Sequence, residues 1–93
     1  MILLMKEKCG EFAENKDIAR SIRKEIMNIY GKSETEIIFD FKGVDSSTQS
    51  FIHALISEFF QKYGEEALER LQFKNCSKPV KSLITTVINY SLE

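Results

Sequence analysis

An almost uninterrupted apolar run in the middle of the chain restricts its fold more than any other feature of the sequence. Between Glu36 and Val44, the residues Ile37, Ile38, Phe39 and Phe41 are β-branched or aromatic. Such residues favour strands, and alternate side chains of a strand point to opposite faces of a sheet. A strand that is apolar on both sides therefore predicts a sheet covered by helices on both faces, which is an α/β arrangement.

Shorter apolar and amphipathic segments surround this central strand. Ile2–Met5 and Leu71–Phe73 are predicted as two further strands. Helices are predicted over Asn15–Tyr30, over Ser47–Tyr63 and from Pro79 onward, because apolar residues recur there every three or four positions. The order β-α-β-α-β-α predicts one small α/β domain over residues 1–93, with a short, mainly parallel sheet covered by helices. Such a narrow sheet exposes an edge, which leaves open a homodimer through this edge or through a helix face.

Capping residues mark the ends of the first two predicted helices. Asn15 is predicted to cap the start of the first helix, and Gly31 is predicted to end it. Ser46 and Gln49 have the spacing of a capping box, which places the start of the second helix directly after Ser46.

Composition disfavours several classes of protein. Thirteen basic and fourteen acidic residues give a formal net charge of −1, which argues against nucleic-acid binding through bulk charge. Two cysteines, Cys9 and Cys76, are too few for a disulfide scaffold and lack the spacing of a zinc site. The apolar start, Met1–Met5, is too short for a signal peptide or a membrane span. We therefore expect a cytoplasmic protein with no membrane association, no metal and no cofactor.

Residue types that carry catalysis are sparse. The one histidine, His53, lies in the middle of the second predicted helix, and the sequence identifies no partner for it in general acid–base chemistry. The glycines are isolated, so the chain has no glycine-rich phosphate loop. We expect a protein that is not an enzyme. The alternative is a nucleic-acid-associated regulator that uses the basic face of the first predicted helix, which consists of Lys16, Arg20, Arg23 and Lys24.

A cluster of small hydroxyl residues lies between the central strand and the second predicted helix. Helix capping is its simplest interpretation. A helix N-terminus also carries free N–H groups and positive potential, so this position suits an anion or a phosphorylated hydroxyl. Two polar residues, one and two turns further on, fall within about 60° of Ser50 on a helical projection. The predicted regulatory or partner-binding residues are Ser46, Ser47, Thr48, Ser50, His53 and Ser57.

The central strand and the residues after it resemble a STAS domain, and more closely the STAS-like domains of bacterial proteins. These families have an apolar strand that ends in an aspartate and a Gly-Val pair, followed by a helix that starts at a serine. The residues of this chain that fit the pattern are Asp40, Gly43, Val44, Ser50 and Phe51. The resemblance covers about residues 12–90.

This resemblance implies a regulatory module that binds other proteins. STAS domains bind kinase-type anti-sigma factors, and some are switched by phosphorylation of a serine at the helix start. STAS-like domains often occur with or beside ATPases of the histidine-kinase type. Counting from Asp40 without gaps puts Gln49 at the acceptor position, so we expect Thr48 or Ser50 beside it to carry the phosphate. The implied function is non-enzymatic, with a histidine-kinase-type ATPase or an anti-sigma factor-like protein as the partner.

Overall fold

The longer elements follow the predicted order β-α-β-α-β-α, and short elements that the sequence did not predict lie between them. The computed structural model describes residues 1–93. Its elements are β1 (Ile2–Leu4), α1 (Met5–Cys9), β2 (Phe12–Ala13), α2 (Lys16–Lys32), β3 (Ile37–Asp40), β4 (Ser46–Ser47), α3 (Gln49–Tyr63), α4 (Ala67–Arg70), β5 (Leu71–Lys74) and α5 (Lys78–Ser91). The α/β fold class, with short parallel sheets flanked by helices, is confirmed.

Three strands form a parallel sheet in the order β1-β3-β5. In its central register, Phe39 lies beside Leu3 on one side and beside Phe73 on the other. The rings of Phe39 and Phe73 stack with their centroids 5.3 Å apart and their planes 10° from parallel. The predicted parallel pairing of the central strand with both neighbours is therefore confirmed.

The helices cover one face of this sheet and leave the other face open. Leu3, Phe39 and Leu71 on the covered face are buried, whereas Ile2 and Leu4 on the opposite face are 64% and 47% exposed. The prediction of helices on both faces is wrong. The strand order accounts for this, because right-handed crossovers that advance in one direction across a sheet place their helices on the same face. Covering the second face requires a reversal of strand order.

α3 is the central helix of this single layer. It packs against α2 on one side and α5 on the other, and the sheet lies beneath it. Contacts on several sides explain why its apolar arc is wide and why Phe51, Leu55 and Phe59 are all fully buried. None of the helices is both long enough and apolar enough to cross a membrane.

The start of α3 differs from the prediction. The helix begins at Gln49, and its N-cap is Thr48, whose Oγ1 accepts a hydrogen bond from the backbone N–H of Phe51 at 3.1 Å. The capping box that starts at Ser46 is therefore wrong. Ser46 belongs to β4 instead, because its backbone pairs with β2.

The ends of the other predicted helices and strands agree only in part with the sequence prediction. Asn15 caps α2, its Oδ1 accepting the backbone N–H of Asp17 at 2.9 Å, which confirms the predicted cap. Gly31 does not end α2, because the helix continues to Lys32. The first strand ends at Leu4, one residue earlier than predicted, because the short helix α1 begins at Met5.

A second, two-stranded parallel sheet was not predicted. It pairs β2 with β4, and Ala13 lies opposite Ser47. Two-residue strands have no periodicity for a sequence pattern to reveal. This small sheet holds the segment between β3 and α3 against the chain that enters α2, so it aligns the starts of the two helices.

Candidate functional site

The predicted hydroxyl cluster divides into two parts with different surroundings. Ser47 Oγ donates a hydrogen bond to the carbonyl oxygen of Ala13 at 2.7 Å, and Ser46 is half-buried beside it in β4. The hydroxyl of Thr48 is occupied by the N-cap of α3. These three residues stabilise the connection between β3 and α3.

The remaining predicted residues line a groove between α2 and α3. Ser50, His53 and Ser57 lie along its α3 side, one helical turn apart in succession. The groove has a volume of about 530 Å³ and is open to solvent. Its full lining, which we call the α2–α3 groove, consists of Lys16, Arg20, Arg23, Gln49, Ser50, His53, Ala54, Ser57, Glu58 and Gln61.

The α2 side of this groove is basic. Lys16, Arg20 and Arg23 project into it from successive turns of α2, whereas Lys24 lies outside it. The basic face of α2 and the polar residues of α3 therefore form one surface, although the sequence assigned them to two separate hypotheses. Lys16 and Gln49 are the first residues of α2 and α3, so both helix N-termini also lie at the same end of the groove.

Arg23 is fixed at the floor of the groove. Its Nη1 donates to the carbonyl oxygen of Ala54 at 3.3 Å, and its Nε lies 3.4 Å from Glu58 Oε2. Its side chain is only 19% exposed, which limits the conformations it can adopt. Arg20 pairs with Asp17 at 3.2 Å, but both of those side chains are largely in solvent and interact weakly.

Ser57 is the one polar residue among the buried residues of the chain, with 4% of its surface exposed. It lines the groove, and its hydroxyl has no hydrogen-bond partner within the protein. The buried side-chain polar atoms without a partner are Tyr30 Oη and Arg70 Nε, so the Ser57 hydroxyl is not sealed in the core and can bond with water or another occupant of the groove. The groove thus offers hydroxyl, amide and cationic donors.

The groove contains few groups for acid–base chemistry. Its single carboxylate, Glu58, is paired with Arg23, and no side chain donates a hydrogen bond to His53 or accepts one from it. An acid–base pair aimed at a common point is therefore not formed in this arrangement. Positive charge and hydrogen-bond donors remain, and these recognise anionic groups.

A second polar cluster lies at the carboxyl ends of β3 and β5. Asp40 Oδ1 accepts hydrogen bonds from Asn75 Nδ2 and from the backbone N–H of Lys42, both at 3.0 Å. These bonds, with that from Asn75 first, hold the pKa of Asp40 below its ordinary value. Asn75 has a φ of 56°, a left-handed conformation that asparagine tolerates better than most residues. The aspartate of the family pattern therefore ties two strand ends together here.

Asp40 should make the stability of the protein depend on pH in the acid range. Its pKa is lower in the folded chain than in the unfolded chain, so its stabilising contribution is complete above the unfolded value of about 4. The contribution is lost as the pH falls from there through the folded pKa. Urea unfolding at a series of acid pH values should show a smaller loss of stability for Asp40→Asn than for the wild-type protein. Asp45→Asn, which changes an exposed carboxylate nearby, is the control, and equal pH dependence of all three proteins would contradict the assignment.

The two cysteines lie outside the groove. Burial raises the pKa of Cys9, whose Sγ donates to the carbonyl oxygen of Met5 at 2.9 Å. Burial likewise raises the pKa of Cys76. A raised pKa leaves little thiolate at neutral pH, so neither residue is set up as a nucleophile.

Fold and groove together define a small α/β domain with one helical layer and a polar groove lined in part by cations. The model of a family described as "STAS-like domain of unknown function (DUF4325)" matches residues 19–81. Because this match covers more than half of the chain, the protein belongs to that STAS-like family, which confirms the resemblance seen in the sequence. The matched residues include the whole α3 side of the groove, together with Arg20 and Arg23, but not Lys16. No curated protein and no solved structure matched the chain.

Several groove residues escaped the sequence reasoning. Glu58 and Gln61 line the groove but were not singled out, Gln49 was considered only for capping and as the acceptor position, and the basic residues of α2 were assigned to a different function. A general rule relates the two sides of the groove: consecutive helices on one face of a parallel sheet are neighbours. Placing the polar side of α3 beside the basic side of α2 would then have predicted the groove.

Proposed function

We propose that this protein is a non-enzymatic, regulatory, protein-binding module of the cytoplasm, and that its partner contacts the α2–α3 groove. The observation that carries this proposal is the convergence of Ser50, His53 and Ser57 with the cationic side chains of α2 on one open surface. Membership of a STAS-like family supports the regulatory role. The partner that we propose is an ATPase of the histidine-kinase type or an anti-sigma factor-like protein.

Charge distribution supports a protein partner over a nucleic acid. The basic side chains do not form an exposed stripe, because Arg23 is paired with Glu58 and Arg20 with Asp17. The chain as a whole carries a formal net charge of −1. Non-specific binding to a phosphate backbone needs a larger uncompensated positive surface. A nucleic-acid-associated role through α2 is the alternative function.

Site-specific photocrosslinking in the source organism tests the proposal. A benzophenone amino acid is placed at His53 or at Gln61, both exposed and both in the groove, and at Tyr90 as the control. Tyr90 is an aromatic residue on α5 that is 70% exposed and lies outside the groove. We expect one defined protein adduct from the two groove positions and none of that adduct from Tyr90.

The identity of the adduct decides between the alternatives. A histidine-kinase-type ATPase or an anti-sigma factor-like protein supports the full proposal, whereas a different protein retains the binding role and contradicts the partner. An adduct with nucleic acid favours the alternative function. The same adducts from Tyr90 as from the groove, or none from either groove position, would remove the groove from the interface.

Ser50 gives a quantitative test once the partner is purified. A carboxylate at the second residue of α3 is compatible with the helix macrodipole, so Ser50→Asp should fold with nearly unchanged stability. As a mimic of phosphorylation it adds negative charge beside Lys16 and Arg20, and we expect it to change partner affinity by about 1–3 kcal/mol. Titrations of wild type, Ser50→Asp and Ser50→Ala measure this. Equal affinities for all three would exclude Ser50 from the interface and leave the cluster with its capping role.

A further inference from the structure

The α2–α3 groove is polar throughout, and its lining includes three cations and one carboxylate. Ala54 is the one apolar residue of its lining. Of its three cations, Arg23 is paired with Glu58 and Arg20 with Asp17, so Lys16 is the cation of the groove that has no carboxylate partner. A partner helix with an apolar face would find little to pack against in this groove. Its occupant must therefore be recognised through charge and hydrogen bonds.

Helix direction adds to this positive potential. Because β1, β3 and β5 are parallel, α2 and α3 both return across the sheet in the same direction. Their N-termini consequently meet at the end of the groove that Lys16, Gln49 and Ser50 line. The positive ends of two macrodipoles converge at that end, where Asn15 and Thr48 cap part of the first-turn N–H groups.

Ser57, a largely buried residue whose hydroxyl is reachable from the groove, lies two turns along α3 from Ser50. Its hydroxyl has no partner within the protein, and Arg23 beside it is held in place by Ala54 and Glu58. Donors therefore lie along the full length of the groove. Between Gln49 and Gln61 this length is about 18 Å at the rise of an α-helix, which exceeds what a single small anion would span.

We propose that the groove docks an acidic segment of the protein partner, with carboxylates at the helix N-termini and at Ser57. This inference rests on the proposed function, because it assigns the chemistry of the partner at the same surface. Binding is electrostatic, so it weakens as salt is added. The proposal also explains how a phosphate on Ser50 would act, because it would occupy the positive end of the groove in place of the acidic segment.

Lysine substitutions on α2 provide a matched test. Lys16 lies in the groove and Lys24 lies on the same helix outside it, so Lys16→Glu and Lys24→Glu change the net charge equally. A glutamate at the first residue of α2 is favourable for the helix dipole, so Lys16→Glu should remain folded. The probe is an acetylated hexaglutamate peptide, followed by its effects on the amide NMR signals of the isotope-labelled protein. Hexalysine, inorganic phosphate and a short DNA duplex are the comparison probes.

We expect hexaglutamate to shift the amide signals of α3 from Gln49 to Gln61 and of the facing turns of α2. Its affinity should fall about fivefold or more in Lys16→Glu, stay within about twofold of wild type in Lys24→Glu, and decrease with salt. An equal loss in both variants, or shifts outside the groove, would overturn the proposal. Equal affinity for phosphate alone would assign a small-anion site instead, and tighter binding of the duplex would assign nucleic acid.

The two proposals fail in distinguishable ways. A protein that crosslinks at His53 but binds Lys16→Glu as tightly as wild type contradicts the acidic segment and leaves the binding module intact. Hexaglutamate binding in the groove, with no protein crosslinked there, would instead contradict the proposed partner. It would retain the recognition of acidic groups by this surface.

Discussion

Replacing Phe39 with alanine is expected to lower the free energy of unfolding by about 3–5 kcal/mol. Phe39 is fully buried at the centre of β3, and its ring stacks on Phe73 beneath the helical layer. Truncation removes this apolar contact and leaves a cavity that the neighbouring strands cannot close without moving. Urea unfolding followed by circular dichroism measures the change, and Phe39→Leu gives a smaller loss that remains measurable if the alanine variant does not fold.

Ile38 is the matched control because it is the next residue of the same strand. Its side chain lies on the open face of the sheet and is half-buried, so Ile38→Ala should cost about 1 kcal/mol or less. The difference between the two variants tests whether helices cover a single face. Equal losses would mean that both faces of β3 are equally buried and would contradict the one-layer arrangement.

Arg70 is expected to be the most important charged residue for stability. Its Nη1 donates to the carbonyl oxygen of Tyr30 at 3.1 Å, and its Nη2 donates to the carbonyl oxygens of Ser33 and Thr35. The guanidinium also lies over the ring of Tyr30, 3.7 Å from its centroid. The final carbonyls of a helix lack partners of their own, so one arginine here satisfies the end of α2 and joins it to the start of β5.

We expect Arg70→Ala to lower the free energy of unfolding by about 1–2 kcal/mol, because one partly buried and two exposed carbonyls lose charged donors. Arg70→Lys should recover only part of this loss, since an ammonium group cannot donate to several carbonyls in the planar arrangement of a guanidinium. Arg20→Ala is the control, as Arg20 is exposed and makes one weak pair with Asp17. A loss for Arg70→Ala no larger than that for Arg20→Ala would show that this cluster does not stabilise the fold.

Much of the architecture follows from local patterns in the sequence. The alternation of apolar strands with amphipathic helices predicts the parallel pairing of β1, β3 and β5, because a helical crossover returns the chain to the same end of the sheet. Asn15 caps its helix as predicted, because a side-chain oxygen satisfies the first N–H groups of a helix whatever surrounds it. These features depend on residues near one another in the chain.

Other features depend on contacts between distant residues and could not be predicted in the same way. Whether Gly31 ends a helix or continues it is decided by the packing around it, and the β2–β4 sheet depends on pairing Ala13 with Ser47 across 34 positions. Arg70 and the carbonyls that it binds are separated by 35 to 40 residues, with no pattern in the sequence that relates them.

The sequence by itself determined the order of the main strands and helices, the family, and the polar character of Ser50, His53 and Ser57 on one side of α3. Tertiary structure alone decided what those side chains face. The strand order β1-β3-β5 runs in one direction, so α2 and α3 are neighbours in one layer and the basic turns of α2 lie against the polar side of α3. The same order leaves Ile2 and Leu4 in solvent on the open face. Helical periodicity specifies which residues share a face, but the direction of each crossover determines which two faces meet.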